Sequence, residues 1–247
     1  MKKLIFIHIP KTAGTSIYKV LSSAFEKDRF STGVYVNHVK HSALEGKQFF
    51  AGHFGINDIK KITDEELEYF TFVRNPYERV SSLYYYWKSH QHALYTPDRN
   101  PSYYGVRRAG ESDSFLDFLN TEDQEVLKDI SNCQCRYISG AVDDPVNVNS
   151  LLLFFRAIFS IWKNKIFVGL TDETEKSLEL LIKRLHIAPN EKISARENVT
   201  KNRPSNSTKE DRRIRSLNRA DIMLYWYVKF IYGFRSILSF SGSKTKA

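Results

Sequence analysis

Short apolar runs alternate with longer segments of helical period along this chain. The runs at residues 3–9 (KLIFIHI), 68–75 (EYFTFVRN) and 165–170 (KIFVGL) have the length and the apolar, β-branched or aromatic content of buried strands. Residues 34–39 and 47–54 are further, shorter strand candidates. Amphipathic patterns and helix start signals predict helices at residues 15–27, 76–90, 114–120, 122–139, 150–163, 172–185 and 218–233.

This alternation favours the α/β fold class, with three layers in which helices flank a central parallel sheet. Ligands of such sheets bind at the carboxyl ends of the strands. Residues 93–113 and 189–208 are rich in Pro, Gly or Asn and in charged residues, and we expect them to be long exposed loops. No linker divides the chain, so we expect one domain at residues 1–235 and a flexible, polar and basic tail at residues 236–247.

The turn between the first strand and the first helix, IPKTAGTS at residues 9–16, has the composition of a phosphate-binding loop. It joins the carboxyl end of a strand to the amino end of a helix, where backbone N–H groups and the helix dipole favour an anion. The common nucleotide loop, GxxxxGK[ST], has Lys directly before the hydroxyl residue. Here Lys11 precedes Thr15 by four residues and the first Gly is absent. The fold is therefore predicted to be P-loop-like, with a turn that can hold one phosphate without requiring a metal.

A second turn of the same kind follows the strand at residues 68–75. Arg74 ends this strand and Pro76 begins the next helix, so Arg74 is expected at the same edge of the sheet. Ser82 follows about two helical turns later, and an Arg and a Ser placed in this way can bind one phosphate. Ser81 is the neighbouring alternative on another face of the helix. We interpret Arg79 as a surface or helix-pairing residue.

The two turns resemble the donor-binding motifs of sulfotransferases that use 3′-phosphoadenosine 5′-phosphosulfate (PAPS). IPKTAGTS is similar to the 5′-phosphosulfate loop of that family, and FVRNPYERVSSLYYYW is similar to its 3′-phosphate motif. The segments NCQCRYISG, FVGLTDETEKSLELL and ENVTKNRPS resemble, in the same order, later segments of sulfotransferase family 2, the carbohydrate sulfotransferases that include heparan sulfate 2-O-sulfotransferase. The resemblance covers most of residues 4–233.

The resemblance implies transfer of a sulfuryl group from PAPS to a carbohydrate hydroxyl, with the carbohydrate as acceptor and no metal. Lys11 is then expected to stabilise the leaving phosphate and the transferred group. We call the predicted loop at residues 189–208 the late loop. The residues implied in binding the donor are Lys11, Thr12, Ala13, Gly14, Thr15, Ser16, Arg74, Ser82 and, in the late loop, Thr200, Lys201 and Arg203.

An in-line transfer also needs a proton acceptor for the attacking hydroxyl. His53 follows a short strand and a Gly, and the resemblance implies that it is the base. We interpret His8 as a residue that shapes the loop, with the base role as an alternative, and His38 and His41 as candidate substrate contacts. Glu26 and Glu45 are the acidic alternatives for the base, although no positional argument supports either.

Composition adds a basic character, with a formal net charge of +9 over 247 residues. From residue 190 to the end there are 13 Lys or Arg and 5 Asp or Glu, so an anionic partner is expected. The apolar run LLLFFRAIFSIW at residues 151–162 is shorter than the roughly 20 residues that span a bilayer. Three interpretations of this run stay open: a core helix, a homodimer face and a peripheral membrane contact.

Cys133 and Cys135 are too close in sequence for an unstrained mutual disulfide, and we expect free thiols in a reducing compartment. The N-terminal apolar run is too short for a signal peptide. The resemblance implies that Golgi members carry an N-terminal membrane anchor and stem, whereas this chain starts directly at the first strand. We therefore expect a cytoplasmic enzyme of bacterial type, with membrane association left open.

Two rival functions are weighed against sulfuryl transfer. A P-loop nucleotide kinase or nucleoside triphosphatase would need magnesium and an acidic metal ligand, and it would not use Arg74 and Ser82 for a 3′-phosphate. A basic nucleic-acid-binding module would leave the N-terminal loop unexplained, so no nucleic-acid partner is expected.

Overall fold

The structure is a computed structural model that describes residues 2–35, 39–90, 103–191 and 204–241. Within these residues, five parallel strands form one sheet in the order β2-β3-β1-β4-β5. The strands are β1 (Lys3–Ile7), β2 (Phe30–Tyr35), β3 (Phe49–His53), β4 (Leu67–Val73) and β5 (Phe167–Leu170). The predicted α/β class with a central parallel sheet is confirmed.

The helices of the described residues flank the sheet. They are α1 (Gly14–Ser22), α2 (His41–Leu44), α3 (Ile56–Lys60), α4 (Pro76–Ser89), α5 (Tyr103–Glu111), α6 (Phe115–Leu119), α7 (Gln124–Ile130), α8 (Cys133–Ser139), α9 (Ser150–Lys163), α10 (Thr174–Leu185), α11 (Thr208–Leu217) and α12 (Arg219–Ser241). None of them combines the length and the apolar character needed to cross a membrane.

The central strand β1 determines which strand ends are neighbours. Its residues 4–7 are buried, as expected for a strand covered on both faces. Leu4 pairs with Phe49 of β3 on one side and with Glu68 of β4 on the other, and the Phe6 ring stacks on Phe70 with centroids 4.5 Å apart. The carboxyl ends of β3, β1 and β4 therefore lie side by side.

A second buried cluster, formed by α4 to α7 and α11, corrects part of the prediction of an exposed loop at residues 93–113; residues 93–102 lie outside the described residues. Residues 103–111 of that range form α5, with Val106 and Ala109 buried. A methyl group added at Gly105 would lie 2.3 Å from the Trp87 ring, so the glycine permits this close packing. Tertiary contact thus overrides the weak helix propensity of the segment.

Other elements also differ from the sequence prediction. The strand expected at residues 34–39 starts at Phe30, because β2 is a partly exposed edge strand without a continuous apolar run. The helix expected at residues 122–139 is two helices, separated at Asn132, whose φ is 46°. The helix α11 was not predicted, and α12 extends to Ser241.

Candidate active site

The turn between β1 and α1 is held in an uncommon backbone conformation. Lys11 and Ala13 have φ angles of 68° and 63°, in the left-handed region that non-glycine residues rarely adopt. The buried Thr12 stabilises the turn, because its hydroxyl donates a hydrogen bond to the Ile9 carbonyl at 2.8 Å. Strained backbone of this kind concentrates at ligand sites, where the surroundings maintain it.

The amino terminus of α1 is not capped by a side chain. Ala13 occupies the capping position and offers no acceptor, and the first turn carries no acidic residue. Of the two hydroxyl residues there, Thr15 is exposed and Ser16 is buried. The first N–H groups of a helix lack partners within the helix, so this terminus is suited to an anion.

Lys11 places a partly buried positive charge beside this terminus. Its Nζ lies 3.8 Å from the centroid of the Tyr86 ring, which comes from α4. Burial, and to a lesser extent the charge of Arg74, lowers the pKa of Lys11 to about 8. An anion bound nearby would favour the charged form and raise this pKa.

Arg74 is positioned by a buried side chain that the sequence did not single out. Gln134 of α8 accepts a hydrogen bond from the Arg74 backbone N–H at 2.8 Å and donates one to the Arg74 carbonyl at 2.9 Å. The Arg74 guanidinium donates to the Lys11 carbonyl at 3.3 Å and lies 3.5 Å from the Glu78 carboxylate. The ends of β1 and β4 are thus connected directly.

The position of Gln134 depends on Asp221 at the start of α12. The buried Asp221 carboxylate accepts hydrogen bonds from the backbone N–H groups of Gln134 and Cys135, at 3.0 and 2.8 Å. Burial raises the pKa of Asp221, and the charge of Arg79 opposes that shift. Cys135 and Cys133 are both buried free thiols.

The interpretation of Arg79 as a surface residue is wrong, whereas the alternative of a helix-pairing residue agrees with its contact to α7. Its side chain is fully buried, and Nη2 donates to the Asp129 carbonyl at 2.7 Å. Arg79 lies on the face of α4 that packs against the rest of the protein, next to Val80 and Leu83. The guanidinium also lowers the pKa of Asp129, although burial dominates and raises it to about 6.

The two serines of α4 have different surroundings. Ser81 donates to the Asn206 side chain at 2.6 Å, and Asn206 donates in turn to Asp211 at 2.9 Å. Ser81 therefore holds one end of the late loop. Ser82 is also buried, with 6% of its surface exposed. Thr200, Lys201 and Arg203 lie outside the described residues.

The buried His8 and the partly buried His53 form a pair at the ends of β1 and β3. Their ring centroids are 4.4 Å apart. His53 Nδ1 donates to the His8 carbonyl at 2.9 Å, because a carbonyl oxygen can only accept. The neutral His53 ring then has its lone pair on Nε2. Burial lowers the pKa of His53, and the hydrogen bond to the His8 carbonyl opposes this effect in part.

The His8 ring fills the space between the His53 ring and the first turn of α1. The Tyr18 hydroxyl lies 2.5 Å from His8 Nδ1, and a methyl group added at Gly14 would lie 2.0 Å from His8 Nε2. Burial is the main cause that lowers the pKa of His8 well below its usual value, and the charges of His53 and Lys11 add to it. Gly14 is therefore required by the close approach of the His8 ring.

The acidic alternatives for the base and the candidate substrate contact His41 lie elsewhere. Glu26 and Glu45 precede β2 and β3, at the amino edge of the sheet. His41 is exposed and its Nδ1 lies 3.0 Å from the carbonyl of Ile62, which precedes β4. His38 lies outside the described residues. In the part of the chain that the structure describes, no group of three His, Cys, Asp or Glu side chains converges as metal ligands.

Comparison with known proteins identifies relatives of one kind. A model of the sulfotransferase family matches residues 1–228. Heparan sulfate 2-O-sulfotransferase 1 of Cricetulus griseus, of Gallus gallus and of Homo sapiens are each 24% identical over an alignment of 204 residues, and the match covers 72% of this chain and 53% of each relative. The chain spans about half the length of the curated relatives it matches.

Proposed function

The chain belongs to the sulfotransferase family, and on that premise we propose that it transfers a sulfuryl group from PAPS to a hydroxyl group of a carbohydrate. The observation that carries the proposal is the meeting of Lys11, Arg74 and His53 at three neighbouring strand ends. Family membership also argues against the alternative function of a nucleotide kinase or triphosphatase. PAPS, when bound, supplies the sulfuryl group together with a phosphate as leaving group.

The backbone N–H groups at the start of α1 and the Lys11 ammonium group fit the 5′-phosphate side of PAPS. The amino terminus of α1 has no side-chain cap, and Lys11 adds a charge beside it. Backbone N–H groups and an ammonium group stabilise negative charge on a phosphate, and they act most strongly where water is partly excluded. The Tyr86 ring holds the Lys11 ammonium at this place, and its electron-rich face favours the charged form.

Arg74 and Ser82 fit a second phosphate. Arg74 is half-buried at the end of β4, with its backbone fixed by Gln134. Its ion pair with Glu78 joins two partly exposed side chains, so it contributes little and an anion can compete with it. We assign the 3′-phosphate to Arg74 and Ser82, while Thr200, Lys201 and Arg203 stay predicted contacts from the late loop.

His53 is the proposed base. Because Nδ1 donates to the His8 carbonyl, Nε2 of the neutral ring can accept the proton of the attacking hydroxyl. The lowered pKa of His53 keeps the ring neutral to more acidic pH than usual. The acid limb of the rate profile is therefore expected below the ordinary pKa of histidine.

The proposal is tested by transfer of radioactive sulfur from PAPS to a panel of unsulfated glycans and glycolipids. We expect transfer to at least one acceptor class, and we expect His53→Ala to reduce turnover by about 10² to 10⁴, the usual contribution of a positioned base. His41→Ala is the matched control, because His41 is exposed at the opposite edge of the sheet. Normal turnover in His53→Ala would assign the base elsewhere.

A further inference from the structure

The outer face of α9 and α12 exposes an unusual concentration of apolar side chains. Among the described residues, eight large apolar side chains are prominently exposed, and all but Tyr104 belong to these two helices. We call this set the apolar face; it consists of Leu151, Leu152, Phe155, Phe159, Trp162, Trp226 and Phe230. Its most exposed members, Trp162, Phe159 and Phe230, have 68%, 65% and 65% of their surface open to solvent.

The apolar face is continuous across the two helices. Trp162 of α9 donates a hydrogen bond from Nε1 to the Tyr227 hydroxyl of α12 at 2.9 Å. The Tyr227 ring also meets Phe154 edge to face, with centroids 6.2 Å apart. The opposite side of α9 is already buried in the core through Leu153, Ala157 and Ser160. The exposed side chains lie on the outer side of α9 and on α12, and an exposed apolar patch of this kind marks an interaction surface.

The charges on these helices are basic. α9 carries Arg156 and Lys163 and no acidic residue, and the acidic residue of α12, Asp221, is buried beneath α8. Lys163 Nζ lies 5.7 Å from the Phe159 ring, and Lys229 Nζ lies 5.6 Å from the Trp226 ring. The apolar face is thus bordered by ammonium groups that can reach the plane of its aromatic rings.

Neighbouring groups modify this border without reversing it. Asp144 pairs with Arg156 at 3.2 Å and Asp172 pairs with Lys229 at 3.3 Å, both at partly exposed positions. Lys60 lies near Lys163. Burial is the main cause that lowers the pKa of Lys60, and the charge of Lys163 lowers it further. The region around Lys163 therefore has an excess of positive charge.

We propose that the apolar face docks on the surface of a bilayer that contains anionic lipids. Tryptophan and phenylalanine insert at the boundary between headgroups and acyl chains, and Lys and Arg at the border attract anionic headgroups. A second copy of the chain is less suited to this face, because a symmetric contact would bring the same basic border against itself. The docking is independent of sulfuryl transfer, so either proposal can fail alone.

The test is co-sedimentation of the whole protein with vesicles of phosphatidylcholine that contain about one quarter phosphatidylserine. We expect binding to these vesicles, and binding at least about tenfold weaker to pure phosphatidylcholine or in high salt. The double variant Phe159→Ser and Trp226→Ser should weaken binding by about tenfold or more, because it removes two inserted rings. Tyr104→Ser is the matched control, since Tyr104 is exposed outside the apolar face.

A second pair of variants tests the charge border. Lys163→Glu should weaken binding to the anionic vesicles roughly tenfold, whereas Lys183→Glu, on the exposed side of α10, should leave it unchanged. All of these side chains are exposed, so an unchanged melting temperature verifies the fold. The proposal is overturned by equal binding to neutral vesicles or by unchanged binding of the double variant. A dimer in sedimentation velocity that the double variant dissociates would also overturn it.

Discussion

The turn after β1 and the turn after β4 both lead from a strand into a helix at the same edge of the sheet. They differ in whether a side chain caps the amino terminus of the helix. The α1 terminus begins at Ala13 and has no side-chain cap. The α4 terminus begins at Asn75, whose side chain accepts a hydrogen bond from the Tyr77 N–H at 3.0 Å, and Pro76 follows at the first helical position. The first terminus is open to a ligand, whereas the second is closed by its own residues.

This difference separates two ways of binding phosphate. At the β1–α1 turn, the backbone and Lys11 can surround one phosphate from several sides. At the β4–α4 turn, the helix terminus is already satisfied, so we propose that the side chains of Arg74 and Ser82 bind the anion there. The two turns still form one site, because the Arg74 guanidinium donates to the Lys11 carbonyl and Lys11 lies on Tyr86 of α4.

Among changes at these two turns, the largest effect is expected from Lys11→Ala, which removes the charge at the open turn. In the proposed mechanism Lys11 stabilises charge that develops on the leaving phosphate, and removal of such a group costs about 10² to 10³ in turnover. Steady-state rates with saturating PAPS measure the loss. Lys19→Ala, at the other end of α1, should retain turnover; a Lys11→Ala enzyme with normal turnover would break the distinction between the two turns.

A pH dependence follows from the lowered pKa of Lys11, about 8. Below that pH Lys11 is already charged, and above it the ligand must restore a proton to Lys11. The affinity for 3′-phosphoadenosine 5′-phosphate should therefore stay level up to pH 8 and then fall by at most about tenfold per pH unit. Calorimetric titrations from about pH 7 to about pH 9.5 measure this slope. This range lies above the second pKa of phosphate, so the charge of the ligand stays constant.

Lys11→Arg provides the control for that slope, because arginine stays charged over this range. The decline above pH 8 should disappear in this variant while binding persists. An identical slope in Lys11→Arg would mean that another group titrates.

The smallest effect is expected from Asn75→Ala, which opens the α4 terminus. Loss of a capping residue costs about 1 kcal/mol of stability, and ligand affinity should change by less than about twofold. Denaturant unfolding and calorimetry measure the two quantities. Asn149→Ala is the matched control, because Asn149 caps α9 in the same way. If Asn75→Ala changes affinity while Asn149→Ala does not, the closed turn takes part in binding after all.

The parts of the site that lie at strand ends were accessible from the sequence. A buried apolar run that ends in a Pro, Gly or Lys signals both the strand and its carboxyl edge, and this placed Lys11, His53 and Arg74 at one edge. The sheet order could not be read in the same way, because pairing between β1 and β3 or β4 depends on contacts far apart along the chain.

The supporting residues were missed for different physical reasons. Gln134 and Asp221 act through the backbone of other residues, so their side-chain chemistry gives no signal of its own. Arg79 was misplaced because a charged residue is usually exposed. The helix α11 did have a signal, since Ser207 and Glu210 form a capping box ahead of it.

The central claim, that the chain binds a nucleotide with two separate phosphates, is tested most directly by calorimetry without magnesium. The protein should bind 3′-phosphoadenosine 5′-phosphate about ten to a hundred times more tightly than 5′-AMP, as expected for an added charge-assisted contact. Arg74→Ala should remove that preference, and Arg107→Ala, at an exposed ion pair on α5, should keep it. Equal affinity of the unmodified protein for the two nucleotides would contradict the account.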